Sequence, residues 1–201
     1  NKTLYDVGKA IIVAGGKGKD DSLWDATQMV SNFAYQALLY QGFTKDTIYY
    51  LNANKDKLDL DNNGEFDDVD ATSTKANLQQ AIIKWANDTD NLTLYLTDHG
   101  GHENFSFSNA ELLSATELSG WLNTWQGEKN GKVKIIYDAC SSGSFLPHFV
   151  PPAGQNRLVI TSATADQKAY FTDNGNLSFS FLFWDEILKG VDVGKAFTDT
   201  S

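Results

Sequence analysis

LTLYLTDHGG, residues 92–101, and KVKIIYDACSSG, residues 132–143, decide the fold of this chain. Each holds an apolar run, Leu92 to Leu96 and Val133 to Tyr137, that reads as a buried β-strand and stops at small, flexible residues. The first run delivers His99 to its exit, followed by Gly100 and Gly101. The second delivers Cys140, the only cysteine, followed by Ser141, Ser142 and Gly143. A parallel α/β sheet presents its reacting groups at the carboxyl edge of its strands, so the pair reads as a Cys/His nucleophilic site.

Working outward, residues 8–16 (GKAIIVAGG) predict a first strand stopped by a glycine pair. Ser22 with Asp25 predicts a variant capping box, and Leu23, Ala26, Val30, Phe33, Ala34, Ala37 and Leu38 follow at helical spacing up to Gly42. Residues 47–51 (TIYYL) predict a second strand, and Leu78, Ile82 and Trp85 an amphipathic helix. Residues 103–108 (ENFSFS) alternate as a small hairpin arm does. Ser114 and Glu117 form a capping box ahead of Leu118, Trp121, Leu122 and Trp125 on one helical face. Residues 157–162 (RLVITS) read as a fifth strand and residues 180–189 as a last helix. All three prolines lie within residues 147–152, which therefore read as a loop leaving the cysteine turn. Strands alternating with helices predict an α/β protein, a three-layer α/β/α sandwich around a mostly parallel sheet. No repeat or linker divides residues 1–201, so one domain is expected.

Composition narrows the function. A chain of 201 residues, 41% of them hydrophobic, can bury roughly 70% of its unfolded surface as one domain. The formal charge of −10 repels a phosphate backbone, which argues against nucleic-acid partners. No apolar stretch approaches membrane-spanning length, so no membrane insertion is expected. One cysteine permits neither an internal disulfide nor a Cys-rich zinc site.

A thiol near its ordinary pKa is a poor nucleophile unless its thiolate is favoured. A strand-to-helix turn supplies N–H groups and a dipole that favour it, and a histidine on a neighbouring strand serves as general acid/base. The backbone N–H groups of Gly100 and Cys140 are candidates for an oxyanion hole. A lone Cys is usually a small buried hydrophobe, and a lone His beside Gly is commonly a turn residue. Both at the exits of buried strands favours chemistry. His102 and His148 sit at no strand exit and read as surface residues.

YLTDHGG and IIYDACSSGSF resemble the His and Cys motifs of the legumain-like cysteine peptidases, in the caspase-like clan. The turn VAGG, the strand RLVITSAT and the aromatic segment LSFSFLFW (residues 177–184) extend the resemblance over the chain. It is similar to bacterial caspase-like modules of large, often exported proteins. The resemblance implies a caspase-like fold, a His99–Cys140 dyad, and hydrolysis of peptide or protein substrates through a thioester. A non-catalytic calcium-binding module of a larger surface protein, and a transpeptidase or ligase using the same dyad, are the alternatives. Asp138 matches the acidic residue that legumains place in the substrate pocket, Ser178 falls where a second pocket acid is expected, and Asp98 either orients His99 or lines the pocket. No arginine stands between Gly16 and Thr27 to match the family's pocket arginine, so asparagine specificity does not carry over. Asp138 suits a basic or amide side chain, or else is a structural carboxylate at a strand end.

Residues 59–70 (DLDNNGEFDDVD) carry their own physics. Asp59, Asp61, Asn63, Asp67 and Asp70 occupy positions 1, 3, 5, 9 and 12 of a calcium loop, Gly64 the sharp turn at 6, and Glu65 the carbonyl position 7. The other reading is a solvated acidic turn. Ca2+ is the expected ion, structural or regulatory, at the roughly 10⁻⁴ to 10⁻³ M affinity of extracellular modules. That affinity fits an exterior location, and the resemblance to bacterial modules implies a secreted or cell-surface place in a bacterium, within a larger multidomain chain.

Overall fold

The computed structural model describes residues 6–54, 58–107, 111–127, 129 and 131–200. Its centre is a five-stranded parallel sheet of β1 (Lys9–Ala14), β2 (Ile48–Asn52), β3 (Asn91–Thr97), β7 (Lys132–Asp138) and β8 (Asn156–Thr161) in the order β2-β1-β3-β7-β8. A small antiparallel sheet joins β4 (Gly100–Gly101), β5 (Asn104–Ser106) and β6 (Leu112–Ser114). The hairpin expected over residues 103–108 is thus one strand of a three-stranded arm, and Ser108 lies outside the described residues.

Both faces of the main sheet are apolar because both are covered. Ile11, Val13, Leu94, Leu96, Ile135 and Tyr137 pack with α2 (Lys75–Ile83) and α3 (Ala115–Gly127). Ile12, Tyr95, Ile136 and Ile160 pack with α1 (Trp24–Tyr40), α4 (Phe179–Leu188) and α5 (Val193–Thr200). The three-layer α/β/α expectation holds. Helix α1 buries Ala26, Val30, Ala34, Ala37 and Leu38, the periodic residues read from sequence.

Three local expectations are corrected. Ser22 does not cap α1: Leu23 stands at the N-cap without a side-chain bond, and Asp21 accepts the Leu23 N–H instead. A carboxylate one residue upstream reaches the orphan donor that the Ser22 hydroxyl does not take. The proline-containing segment is not all loop, because Ser142–Phe149 forms a 3-10 helix with Pro147 inside it. Helix α5, short and polar, carries no long apolar period and escapes sequence reading. The Ser114–Glu117 capping box forms as expected, with Ser114 Oγ accepting from Glu117 N (3.2 Å) and Glu117 Oε2 accepting from Ser114 N (3.0 Å).

The strand order reverses between β1 and β3. β1 runs on to β2 on one side, while β3, β7 and β8 lie on the other. Open α/β sheets bind ligands in the crevice beyond the carboxyl ends at such a reversal. Register places Ala14 beside Thr97, and Thr97 beside Asp138, so the chain after β1, β3 and β7 meets at one edge.

Candidate active site

The His and Cys motifs meet through their backbones. A Cβ on Gly100 would lie 2.7 Å from the Cys140 carbonyl oxygen and 2.8 Å from Ala139 Cβ, so only glycine fits at this contact. Asp98 N donates to Asp138 O (3.3 Å), tying the two strand exits together. An aromatic chain braces them from the α3 side: Phe105 of the arm meets Tyr137 edge-on (5.8 Å), and Tyr137 meets Phe145 of the 3-10 helix (4.7 Å). Glu103 N also donates to Ser144 Oγ (2.8 Å), and His148 pairs with Glu103 (3.0 Å). His148 therefore fastens the arm to the cysteine turn, while His102 is exposed.

His99 turns away from solvent at one ring nitrogen only: Nε2 lies 2.8 Å from Asp21 Oδ1. Asp21 is the residue of the candidate site that sequence reasoning missed. It lies in the loop after β1, beside the exposed Asp20 in a polar stretch without periodicity, so no pattern separates the two. Burial works against its charge, but the Leu23 and Lys17 N–H groups and His99 outweigh burial and hold the Asp21 carboxyl below the usual range. A carboxylate at Nε2 favours the tautomer protonated there, which leaves Nδ1 without the proton.

Asp98 is buried and sits at φ +154°, a conformation that costs on the order of 1–3 kcal/mol and gathers at functional sites. Its Oδ1 accepts the His99 N–H (2.6 Å) and its Oδ2 the Thr27 hydroxyl of α1 (2.7 Å). The glycine pair after β1 closes on it, since a Cβ on Gly15 would lie 2.7 Å from Asp98 Cβ. Burial pushes the Asp98 carboxyl up, against the pull of His99 and Thr27.

Cys140 is half-buried, and its Sγ lies 3.8 Å from the Ala169 carbonyl. Ser141 follows at φ +57°, turning the chain into the 3-10 helix, and its N–H reaches Gln167 O (2.8 Å). The segment after β8 therefore lies across the cysteine turn. Asp138 is wholly buried: its Oδ2 accepts the N–H and hydroxyl of Ser180 (3.1 and 2.6 Å) at the start of α4. Burial pushes the Asp138 carboxyl up, opposed by Ser162 and Ser180. Ser178 does not point there. Its hydroxyl caps α4, accepting from Phe181 N (3.1 Å) and donating to Gly175 O (2.7 Å), and Ser180 takes the expected place beside the carboxylate.

The acidic loop is arranged differently from its sequence spacing. Carboxylate oxygens of Asp59, Asp61 and Asp68 lie within 4.8 Å of one another. Asn63 donates to Asp59 and Asp61, and Glu65 N donates to Asn63. Asp70 is drawn off by Lys45 Nζ (2.6 Å) and Tyr50 N (2.7 Å), and Asp67 and Glu65 are exposed. Asp68, one residue on from the expected Asp67, takes the inward place because the chain bonds back to β2 at Tyr50 and fixes which carboxylate faces in.

Comparison with known proteins agrees with this geometry. A search of curated proteins finds no match. The crystal structure of Caspase-1 from Spodoptera frugiperda is similar to this chain with a TM-score of 0.66, at 14% sequence identity, over 96% of this chain and 75% of that one. That likeness carries the fold alone. The Peptidase C13 family matches residues 70–195, a span that takes in both motifs at the sheet edge. With a caspase-like sheet bringing a histidine and the single cysteine to one edge, this chain belongs to the Peptidase C13 family and is a cysteine peptidase.

Proposed function

We propose that Cys140 is the nucleophile and His99 the general acid/base of peptide-bond hydrolysis. The observation that carries this reading is the contact of the two motifs at the carboxyl edge, with Gly100 against the Cys140 backbone and His99 fixed through Nε2 by Asp21. In this reading Cys140 Sγ, as thiolate, attacks the scissile carbonyl carbon. The negative oxygen is met by the N–H groups of Gly100 and Cys140. His99 gives a proton to the departing amine as the C–N bond breaks, leaving a thioester. Water then attacks the thioester, His99 takes its proton, and the acid is released as the thiolate re-forms.

Turnover of a fluorogenic peptide library by the wild type, Cys140→Ala and His99→Ala tests this. Loss of turnover in both variants, with a thiol-directed probe labelling wild-type Cys140, is expected. Turnover retained in Cys140→Ala would sink it.

A second reading concerns calcium. The converging carboxylates of Asp59, Asp61 and Asp68 repel one another in the absence of a cation, which favours Ca2+ held by this loop. Titration of Ca2+ followed by calorimetry, repeated with Asp61→Asn, tests it; heats identical in the two proteins would refute it.

A further inference from the structure

The amino edge of the main sheet, opposite the candidate dyad, holds a cavity of about 330 Å³. It lies on the face covered by α1 and α4, at the point where the apolar pattern of that face breaks off. Tyr95 of β3 and Ile136 of β7 are buried register partners there. Two residues earlier on each strand, the same face carries a second register pair, Thr93 and Lys134. A hydroxyl and an ammonium group thus stand where a continuous core would place two more apolar side chains, and both residues line the cavity.

The walls around this pair are apolar and fixed. Helices α1 and α4 end in the same motif. Gly42 and Gly190, at φ +96° and +86°, donate to Leu39 O (3.0 Å) and Ile187 O (2.9 Å). The next residues, Phe43 and Val191, donate to Leu38 O (3.1 Å) and Glu186 O (3.1 Å). Gln41 Nε2 bonds Ile187 O (2.6 Å) and ties the two helix ends together. Leu38, Phe43, Ile187 and Val191 of these turns, with Phe183 and Trp184 of α4, form the walls. Backbone bonds hold these walls in place, so the cavity is preformed.

Charge decides what it takes. Lys134 is exposed, and among the described residues no carboxylate pairs with it. The two acidic residues at the cavity, Asp6 and Asp192, are bonded to backbone instead. Asp6 Oδ1 accepts the Gly8 N–H (2.9 Å), and Asp192 Oδ1 accepts the Gly194 and Lys195 N–H groups (3.0 and 3.1 Å) at the start of α5.

We propose that this cavity binds a small carboxylic acid with an aromatic body, at a site separate from the catalytic edge. The carboxylate accepts from the Lys134 ammonium and the Thr93 hydroxyl, and the ring lies among Phe43, Phe183 and Trp184. The volume is at the low end of ligand pockets, which run from roughly 300 to 1,000 Å³, so it suits one ring on a short chain. An alcohol of the same shape fills the walls but leaves the ammonium without a charged partner, and an amine is repelled by it.

Calorimetry with 3-phenylpropionate, 3-phenylpropanol and 3-phenylpropylamine tests this, since the three share one body and carry anionic, neutral and cationic heads. The acid is expected to bind the wild type on the order of tenfold more tightly than the alcohol, and the amine most weakly. Lys134→Gln is expected to bring acid and alcohol level, and Lys134→Glu to favour the amine; the side chain is exposed, so neither change disturbs the core. Cys140→Ala is expected to bind the acid as the wild type does. No binding of any of the three, equal binding of all three, tightest binding of the amine, or an order unchanged by both Lys134 variants overturns the assignment. Acid binding lost in Cys140→Ala places the ligand at the catalytic edge and overturns it too.

Discussion

Asp21 Oδ1 lies 2.8 Å from His99 Nε2, and the two side chains come from opposite sides of the strand-order reversal, one after β1 and the other after β3. The same carboxylate accepts the Leu23 and Lys17 N–H groups. It therefore anchors the loop and the histidine together, and under the proposed mechanism it acts through His99 as a positioning residue.

Asp21→Ala is expected to lower kcat by on the order of 10²-fold, as a small misplacement of a reacting group does, with little change in KM. Asp21→Asn keeps an oxygen for Nε2–H and is expected to recover much of that loss. A kcat equal to wild type in the alanine variant, or no recovery by asparagine, would show that His99 is held some other way.

Helix α1 carries three polar residues at four-residue spacing, each bonded to a different part of the molecule. Thr27 reaches Asp98 (2.7 Å), Ser31 reaches Tyr50 of β2 (2.6 Å), and Tyr35 donates to Asp68 of the acidic loop. One helix face thus joins the candidate catalytic edge to the candidate calcium loop. Tyr35→Phe removes the hydroxyl that donates to the wholly buried Asp68 and is expected to cost about 1–3 kcal/mol. Urea unfolding would measure it, and a midpoint unchanged from wild type would mean that the Leu60 and Asp61 N–H groups suffice for that carboxylate.

The strands that carry His99 and Cys140 are legible because a sheet buried on both faces writes itself as apolar runs, and the exits are marked by Gly and Ser. The Ser114–Glu117 box is legible because both partners lie within one turn. What sequence did not disclose depends on contacts far apart along the chain. Asp21 meets His99 across 78 residues, and Asp138 meets Ser180 across 42; no local period encodes either. The acidic loop shows the same limit. Its spacing names Asp70 as a ligand, yet Lys45 and Tyr50 claim that carboxylate, and Asp68 turns inward instead.

The capping box at α3 offers a stability test away from the chemistry. Ser114 and Glu117 satisfy each other's backbone N–H groups, and the Ser114 N–H, with Lys75 and the Ser114 hydroxyl, draws the Glu117 carboxyl down to about 2. Ser114→Ala is expected to destabilise by about 1 kcal/mol, read as a lower urea midpoint with an unchanged slope. An unaltered midpoint would show that the arm alone fixes the start of α3.

Acid titration separates the buried carboxylates from the exposed and well-paired ones. In the unfolded chain all titrate near about 3.9. Burial raises Asp98 and Asp138 in the folded protein, so between the unfolded and folded values the native state holds protons that the unfolded state has shed. Their contribution to stability therefore falls as pH rises through that window. Asp21, held low, acts in the opposite sense: its contribution is present above the unfolded value and is lost as pH falls through the folded one. Asp138→Asn removes one of the raised groups and is expected to flatten the decline in stability from about pH 4 upward. Unfolding midpoints measured across pH for the two proteins would check this. A variant whose midpoints track wild type at every pH would mean that Asp138 titrates alike in the folded and unfolded chain.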